Sequence, residues 1–177
     1  MAWWAPERVG YRSEPLDLGR HELSTLDSGE PELDIWLREH AAGAQARRVA
    51  RTFVWVESNG DPNLVVGYYS LTGHRLVRDA LPKSVGRGSP VEIPAVLLAR
   101  LALDQSHQGA GAGGALLADA LGRIVFATQT VAARFVVVDA VHERAANFYE
   151  HYGFRRIPQT LRLVQKVSDI ATLIDDL

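Results

Sequence analysis

The chain has 177 residues, 47% hydrophobic and 23% charged, with a formal net charge of -2, the make-up of one globular domain rather than of a disordered, collagen-like or membrane-embedded chain. It has no cysteine, and its six histidines (His21, His40, His74, His107, His142 and His151) show no paired ligand spacing, so neither a disulfide framework, a thiolate nucleophile nor a catalytic metal is expected. The opening Met1–Arg8 has no apolar leader, and no segment approaches the roughly 18 consecutive apolar residues of a membrane span, which makes the cytoplasm the expected compartment.

Residues 1–29 are punctuated by Pro6, Gly10, Pro15, Gly19 and Gly29 and predict only a short strand in the teens or twenties. From Pro31 the apolar positions Leu33, Trp36 and Leu37, with acids in the first turn, predict a helix that continues through an alanine-rich stretch to about Arg48. Arg51 to Glu57 reads as a strand, Asn59-Gly60-Asp61-Pro62 as a turn, and Leu64 to Thr72 as the hairpin partner. Residues 79–94, with Pro82, Gly86, Gly88, Pro90 and Pro94, predict a loop outside the core. Ala95 to Asp104 reads as a strand with Leu97, Ala99, Leu101 and Leu103 on one face. A helix follows from near Ala112, its stripe drawn by Leu116, Leu117, Ala120, Leu121, Ile124 and Val125. Arg134 to Asp139 is a strand buried on both faces, Glu143 to Tyr152 a helix stopped by Gly153, and Thr160 to Val167 a last strand with Leu161, Leu163 and Val167 inward. The fold class expected is α/β: an antiparallel meander, then a βαβ unit, in a mixed sheet wrapped by helices.

Between that strand and its helix lies Gln108-Gly109-Ala110-Gly111-Ala112-Gly113-Gly114, with four glycines in the six positions from 109 to 114. Each glycine costs backbone entropy on folding, so the run points to a close approach of something to the main chain. A glycine loop that feeds a helix N-terminus offers unpaired N–H groups and the positive end of the helix dipole, a site for a phosphate or diphosphate. Gly109-x-Gly111-x-x-Gly114 also fits a dinucleotide fingerprint, with Asp139 as the ribose acid. The five residues from Asp104 to Gln108 ahead of the first glycine, and a meander ahead of the unit, speak against that fit. A Walker loop is excluded, since no Gly-Lys-Ser/Thr follows.

Gln108-x-x-Gly111-x-Gly113 resembles the Q/R-x-x-G-x-G/A acetyl-CoA loop of the GNAT N-acetyltransferase superfamily, and Phe148-Tyr149-Glu150-His151-Tyr152-Gly153-Phe154 resembles its C-terminal FYxxxGF motif. The two occur in the family's order and cover residues 20–167 with the meander included, within one domain spanning 1–177. Pro31–Leu37, Val66–Leu71 and Ile93–Asp104 further resemble the bacterial GNAT toxins of toxin-antitoxin systems. That resemblance implies acetylation of the amino group of aminoacyl-tRNA, a homodimer and neutralisation by a ribbon-helix-helix antitoxin. Where the family often has asparagine, this chain has His142.

The likeness implies that the backbone of Leu101, Ala102 and Leu103 pairs with the pantetheine arm of acetyl-CoA, that amides from Gln108 through Gly109, Ala110, Gly111, Ala112 and Gly113 to Gly114 hold its diphosphate, and that Phe148 belongs to the cofactor site. Tyr149 is the expected general acid for the leaving thiolate; it stands about 100° from Phe148 around a helix, so that a core-facing Phe148 leaves Tyr149 free for the cleft. Glu92, Asp104 and Glu143 are candidate bases. A base is dispensable for an α-amine, whose deprotonation at pH 7 costs about 1 to 1.4 kcal/mol against about 4.6 for a lysine.

Residues 1–40 carry nine acids and four bases, whereas 41–100 carry four acids and eight bases. Arg47, Arg48, Arg51, Arg75, Arg78, Lys83 and Arg87, with Arg155 and Arg156 after the Phe-Tyr helix, are the candidate tRNA phosphate contacts; solvated surface charge is the plainer reading of any single one. Two other functions fit the motifs: a GNAT acting on a small-molecule or protein amine, and a non-catalytic acyl-CoA-binding regulator.

Overall fold

A computed structural model describes residues 7, 8 and 10–176; the first six residues, part of the stretch where no leader is expected, lie outside them. In chain order the elements are β1 (Glu7–Arg8), β2 (Tyr11–Pro15), α1 (Pro31–Glu39), α2 (Ala41–Ala46), β3 (Arg51–Glu57), β4 (Gly67–Val77), α3 (Lys83–Gly86), β5 (Glu92–Leu103), α4 (Ala112–Ala127), β6 (Phe135–Asp139), α5 (Glu143–His151), β7 (Arg155–Arg156), β8 (Arg162–Lys166) and α6 (Val167–Asp175). Short 3-10 turns cover Arg78–Ala80 and Gln105–His107. The chain forms two compact units, Met1–Thr72 with Ala99–Arg123 and Gly73–Leu98 with Ile124–Leu177. β4, β5 and α4 therefore each contribute residues to both.

In the first unit β1, β2, β3 and β4 follow one another as antiparallel neighbours, with Tyr11 opposite Glu57, Pro15 opposite Phe53 and Arg51 opposite Leu71. β3 has the bounds expected of it, and its Val54, Trp55 and Val56 are all buried. The expected helix from Pro31 to Arg48 is two helices, broken at His40, where φ -122° and ψ -29° leave the helical region. Leu37 and Ala41, on either side of that break, enter one apolar cluster with Leu16, Leu23, Leu26, Val54, Val65, Tyr68 and Ala102. A fully buried leucine contributes about 1.5–3 kcal/mol, and helices of nine and six residues are unstable alone; the cluster is what holds them. β4 begins three residues later than the hairpin pattern suggested because the Val65 amide bonds to the Glu22 carbonyl instead of a ladder. At Gly67 a Cβ would lie 3.2 Å from the Ala102 carbonyl oxygen, so this strand passes the end of β5 at glycine range.

A polar cluster sits inside this unit. Asp119, 2% exposed on α4, accepts hydrogen bonds from Trp55 Nε1 (3.2 Å) and the Tyr69 hydroxyl (2.9 Å). Arg123 donates to the same hydroxyl (2.8 Å) and to Ser13 Oγ (3.2 Å), and stacks over Phe53 at 3.9 Å.

In the second unit the strand order is β5-β6-β8-β7. β5 and β6 are parallel over Ala95–Leu97 against Phe135–Val137, and β6–β8 and β8–β7 are antiparallel. Phe135 to Val138 are all buried, as a strand covered on both faces requires. The proline-rich stretch expected to stay out of the core enters it: Leu81, Val85 and Ile93 are buried with Leu76, Ala95, Phe135, Val137 and Val164. Its prolines occupy positions where an N–H is not needed. Pro82 precedes the first turn of α3, and exposed Pro94 lies within β5, where its carbonyl accepts from the Arg134 amide at 2.8 Å. The face expected of this strand is also corrected. Ile93, Ala95, Leu98, Ala102 and Leu103 are buried, whereas Leu97, Ala99 and Leu101 are only half-buried, so the two-residue alternation slips by one between Ala95 and Leu98. β7 and α6 extend the pattern read from sequence; α6 buries Val167 and Ile170. Among the described residues no helix is long and apolar enough to cross a membrane.

Candidate active site

In the first unit, Leu103 hands the chain to Asp104, whose carboxylate caps the following 3-10 turn by accepting from Ser106 N (3.0 Å) and Ser106 Oγ (2.6 Å). Three successive residues then take left-handed backbone: Gly109 (φ 91°), Ala110 (φ 50°) and Gly111 (φ 80°). Glycine meets this demand without a Cβ clash at 109 and 111. No described atom crowds either position, since a Cβ at Gly109 or Gly111 would meet nothing within 4 Å. Backbone conformation, then, explains the glycines, and the space beside them is open. Among the described residues the amides of Gly109, Ala110 and Gly111 have no hydrogen-bond acceptor, while Ala112 N bonds to Gly109 O and Ala115 N to Gly111 O as α4 starts. Unpaired amides ahead of a 16-residue helix present N–H donors and a positive dipole end to one place. These groups fit a diphosphate.

The Gln108 side chain points the other way. Its Nε2 donates to the carbonyls of Leu103 (2.8 Å) and Ser28 (2.9 Å), pinning the loop's entry from inside. Ser28 is in turn held by Asp34, a residue of α1 only 6% exposed, whose carboxylate accepts from Ser28 Oγ at 2.6 Å and from Ser28 N at 3.2 Å. These partners lie up to 80 positions apart in sequence, and no local periodicity announces them. One signal was present: an acid at 34 inside the apolar spacing of Leu33, Trp36 and Leu37.

In the second unit, α5 opens on His142, whose Nδ1 accepts from Ala145 N at 3.1 Å. Histidine thus does the capping work for which asparagine is favoured. The helix closes before Gly153 at φ 95°, where Phe154 N returns to the Tyr149 carbonyl at 3.1 Å. The expected facing of the two aromatics is corrected: Phe148 is half-buried, and Tyr149 is the buried one at 8% exposure, with ring contacts to Phe148 and Phe154. Helix geometry still separates the two side chains, but Ala146 and Tyr149, three apart, form the inward edge. The Tyr149 hydroxyl has no hydrogen-bond partner among the described residues, and burial pushes its pKa above the ordinary phenol value. It remains a protonated donor throughout the working pH range.

Each candidate base is already engaged. Burial raises the Asp104 carboxyl, but hydrogen bonds from Ser106 and from the Asp27 amide outweigh it and hold the group below its usual range. Glu92 pairs with Arg75 at 2.7 Å and Glu143 with Arg156 at 2.7 Å. Asp139 receives a two-pronged bond from Arg162 (2.7 and 2.8 Å), which occupies the acid a dinucleotide reading would need.

The basic residues divide between the units. In the first, Arg47, Arg48 and Arg51 are exposed, and Arg48 and Arg51 line a depression of about 430 Å³ with Gln45 and Ala46. In the second, Arg78, Lys83 and Arg87 line one of about 570 Å³. Arg75 and Arg156 are consumed by ion pairs, Arg156 with Glu150 as well at 2.6 Å, and Arg155 reaches Ser84 Oγ. Among the described residues no group of three or more His, Asp or Glu side chains is placed to hold a metal ion.

Residues 50–156 match the model of the acetyltransferase (GNAT) domain. The chain belongs to the GNAT acetyltransferase family. As an N-acetyltransferase it takes acetyl-CoA as the acetyl donor. This acetyltransferase is 36% identical to the tRNA-acetylating toxin of Mycobacterium tuberculosis, over 94% of this chain and 99% of that one. AtaT in complex with acetyl-methionyl-tRNAfMet superposes with a TM-score of 0.83 at 31% identity, covering 92% of this chain and 98% of AtaT. A tyrosine-to-phenylalanine mutant of AtaT bound to the C-terminus of the antitoxin AtaR and acetyl-CoA gives 0.78 at 27% identity, covering 93% and 98%.

Proposed function

We propose that this acetyltransferase is a toxin that acetylates the α-amine of aminoacyl-tRNA and so blocks translation. The observation that carries the choice of amine is that Glu92, Asp104 and Glu143 are all engaged, leaving none of the three candidate acids free to deprotonate a lysine-like amine. An α-amine near pKa 7.7 to 8.0 is substantially neutral without such help. Acetyl-CoA supplies the thioester. The amides of Gly109, Ala110 and Gly111, with those of Gly113 and Gly114 in the first turn of α4, hold the diphosphate; the backbone of Leu101, Ala102 and Leu103 orients the pantetheine arm, and Phe148 packs beside it. The amine nitrogen bonds to the carbonyl carbon, the carbon–sulfur bond breaks, and Tyr149 gives its phenolic proton to the sulfur; the nitrogen's surplus proton leaves to water, from which Tyr149 is reprotonated.

Arg47, Arg48 and Arg51 on one unit, and Arg78, Lys83 and Arg87 on the other, meet tRNA phosphates. Residues 1–177 form one catalytic domain with its core at about 20–167, acting as a homodimer in the cytoplasm, and a ribbon-helix-helix antitoxin neutralises it; the antitoxin complex of AtaT supports that partner. The test is incubation of the purified chain with acetyl-CoA and charged tRNA, followed by mass spectrometry of the aminoacyl end. Acetylated aminoacyl-tRNA is expected, with growth arrest on expression. Acetylation confined to free polyamines or amino acids, or coenzyme A binding without transfer to any amine, overturns it.

A further inference from the structure

The acetyl transfer leaves one buried charged residue of α1 without a task, Asp34. Its carboxylate takes both donors of Ser28, the backbone N and Oγ, and the Ser28 carbonyl takes one of the two protons of the Gln108 side-chain amide. The same short segment is tied to the stretch before the loop at three further points, Asp27 N to Asp104 Oδ2 (3.0 Å), Gln105 N to Asp27 O (2.8 Å) and Gln105 Nε2 to Asp27 Oδ1 (3.0 Å), and it is closed on itself by Gly29 N to Asp27 Oδ1 (3.0 Å). Gly29 sits at φ 85° with a would-be Cβ 3.3 Å from Gln105, so the segment is shaped to lie against that stretch. Immediately beyond the last tie come the three left-handed residues whose amides have no acceptor among the described residues.

A loop of that kind has little of its own to hold it in one conformation, since its N–H groups gain nothing until a ligand arrives. Its donors converge only if its entry is fixed, and the entry is fixed through Gln108. We propose that Asp34, Ser28 and Gln108 form a brace that pre-sets the diphosphate-binding loop for the acetyl donor. This rests on the acetyltransferase reading of the same loop. Asp34 and Ser28 are positioning residues, acting through Gln108; they set how tightly the donor is held and leave the chemical step alone.

The experiment uses the full chain and two donors with the same thioester, acetyl-CoA and S-acetyl-pantetheine, which lacks the diphosphate. Asp34→Ala and Gln108→Met each raise the Kd for coenzyme A, measured by calorimetry, and the KM for acetyl-CoA about tenfold, or 1.4 kcal/mol. For Asp34→Ala, the kcat at saturating acetyl-CoA and the kcat/KM with S-acetyl-pantetheine stay within about twofold. Asp34→Asn, which keeps an oxygen acceptor for Ser28, restores most of the affinity, and the double variant is no weaker than Gln108→Met alone because both act along one path. Should Asp34→Ala fail to fold, Ser28→Ala, which retains its carbonyl and loses Oγ, gives a smaller shift in the same direction. Equal losses with the two donors would make the residues merely structural and overturn the brace, as would an unchanged Kd in soluble variants. A wild-type chain that gives no heat with coenzyme A refutes the acetyltransferase reading itself, whereas a binding wild type with unaltered variants refutes the brace alone.

Discussion

Replacing Tyr149 by phenylalanine removes one oxygen and nothing else that the fold uses. The hydroxyl has no partner among the described residues and the ring contacts to Phe148 and Phe154 survive, so no hydrogen bond is lost and an incompletely solvated polar group is removed. Stability should stay within about 0.5 kcal/mol of wild type or rise slightly. The chemistry should not be spared: losing a positioned general acid costs about 10²–10⁴ in rate, which at about 1.4 kcal/mol per decade is roughly 3 to 6 kcal/mol of barrier. The assay pairs acetyl transfer to charged tRNA under saturating acetyl-CoA with thermal and urea unfolding of the same preparation. A fall of at least a hundredfold in kcat, with an unshifted melting midpoint and an unchanged Kd for coenzyme A, is expected. A variant retaining a third of wild-type kcat would refute Tyr149 as the acid. A variant that loses both activity and about 2 kcal/mol of stability would show that the hydroxyl serves the fold instead.

Asp119→Ala leaves the buried donors of Trp55 and Tyr69 without their shared acceptor and should cost about 2–4 kcal/mol in urea unfolding. Gly111→Ala places a Cβ on a residue at φ 80° where nothing crowds it; it should lower stability by about 1–2 kcal/mol while raising the KM for acetyl-CoA, read by steady-state kinetics. Arg87 is exposed and makes no ion pair among the described residues, so Arg87→Ala should leave the melting point unchanged and reduce the slope of log K for tRNA against log salt by about 0.7–0.9, measured by filter binding. Burial raises the pKa of Tyr68, Tyr69 and Tyr149 above the unfolded value of 10. The folded chain therefore keeps protons that the unfolded chain releases, and stability that is fully present below pH 10 is lost as the pH rises beyond it; unfolding scans between pH 8 and 11 check the sign.

The parts of the fold that were legible from sequence are those governed by a local period. β3 and β6 announced themselves by unbroken apolar runs, and α4 by its stripe, because burial on two faces or one leaves a mark within five to sixteen residues. The stretch from 79 to 94 reads as a loop because its prolines mask Leu81, Val85 and Ile93, whose burial depends on partners such as Phe135 and Val164 far along the chain. Of the site, the glycine loop was visible because left-handed backbone restricts which residues fit. The task of Gln108 was hidden for the opposite reason: its amide serves two carbonyls, and a carbonyl has no sequence signature. Phe148 and Tyr149 were assigned to a helix correctly, but which of the two turns inward is set by Phe154 and Ala146 beside it.

Each compact unit is assembled from two stretches of chain that alternate, with crossings near residues 72, 98 and 123. No single cut liberates either one as a continuous fragment. The loop amides are encoded before the last crossing and Tyr149 after it: a recombination breakpoint between the loop and residue 123 divides both folding units, whereas one between 123 and Tyr149 leaves the first whole and divides only the second.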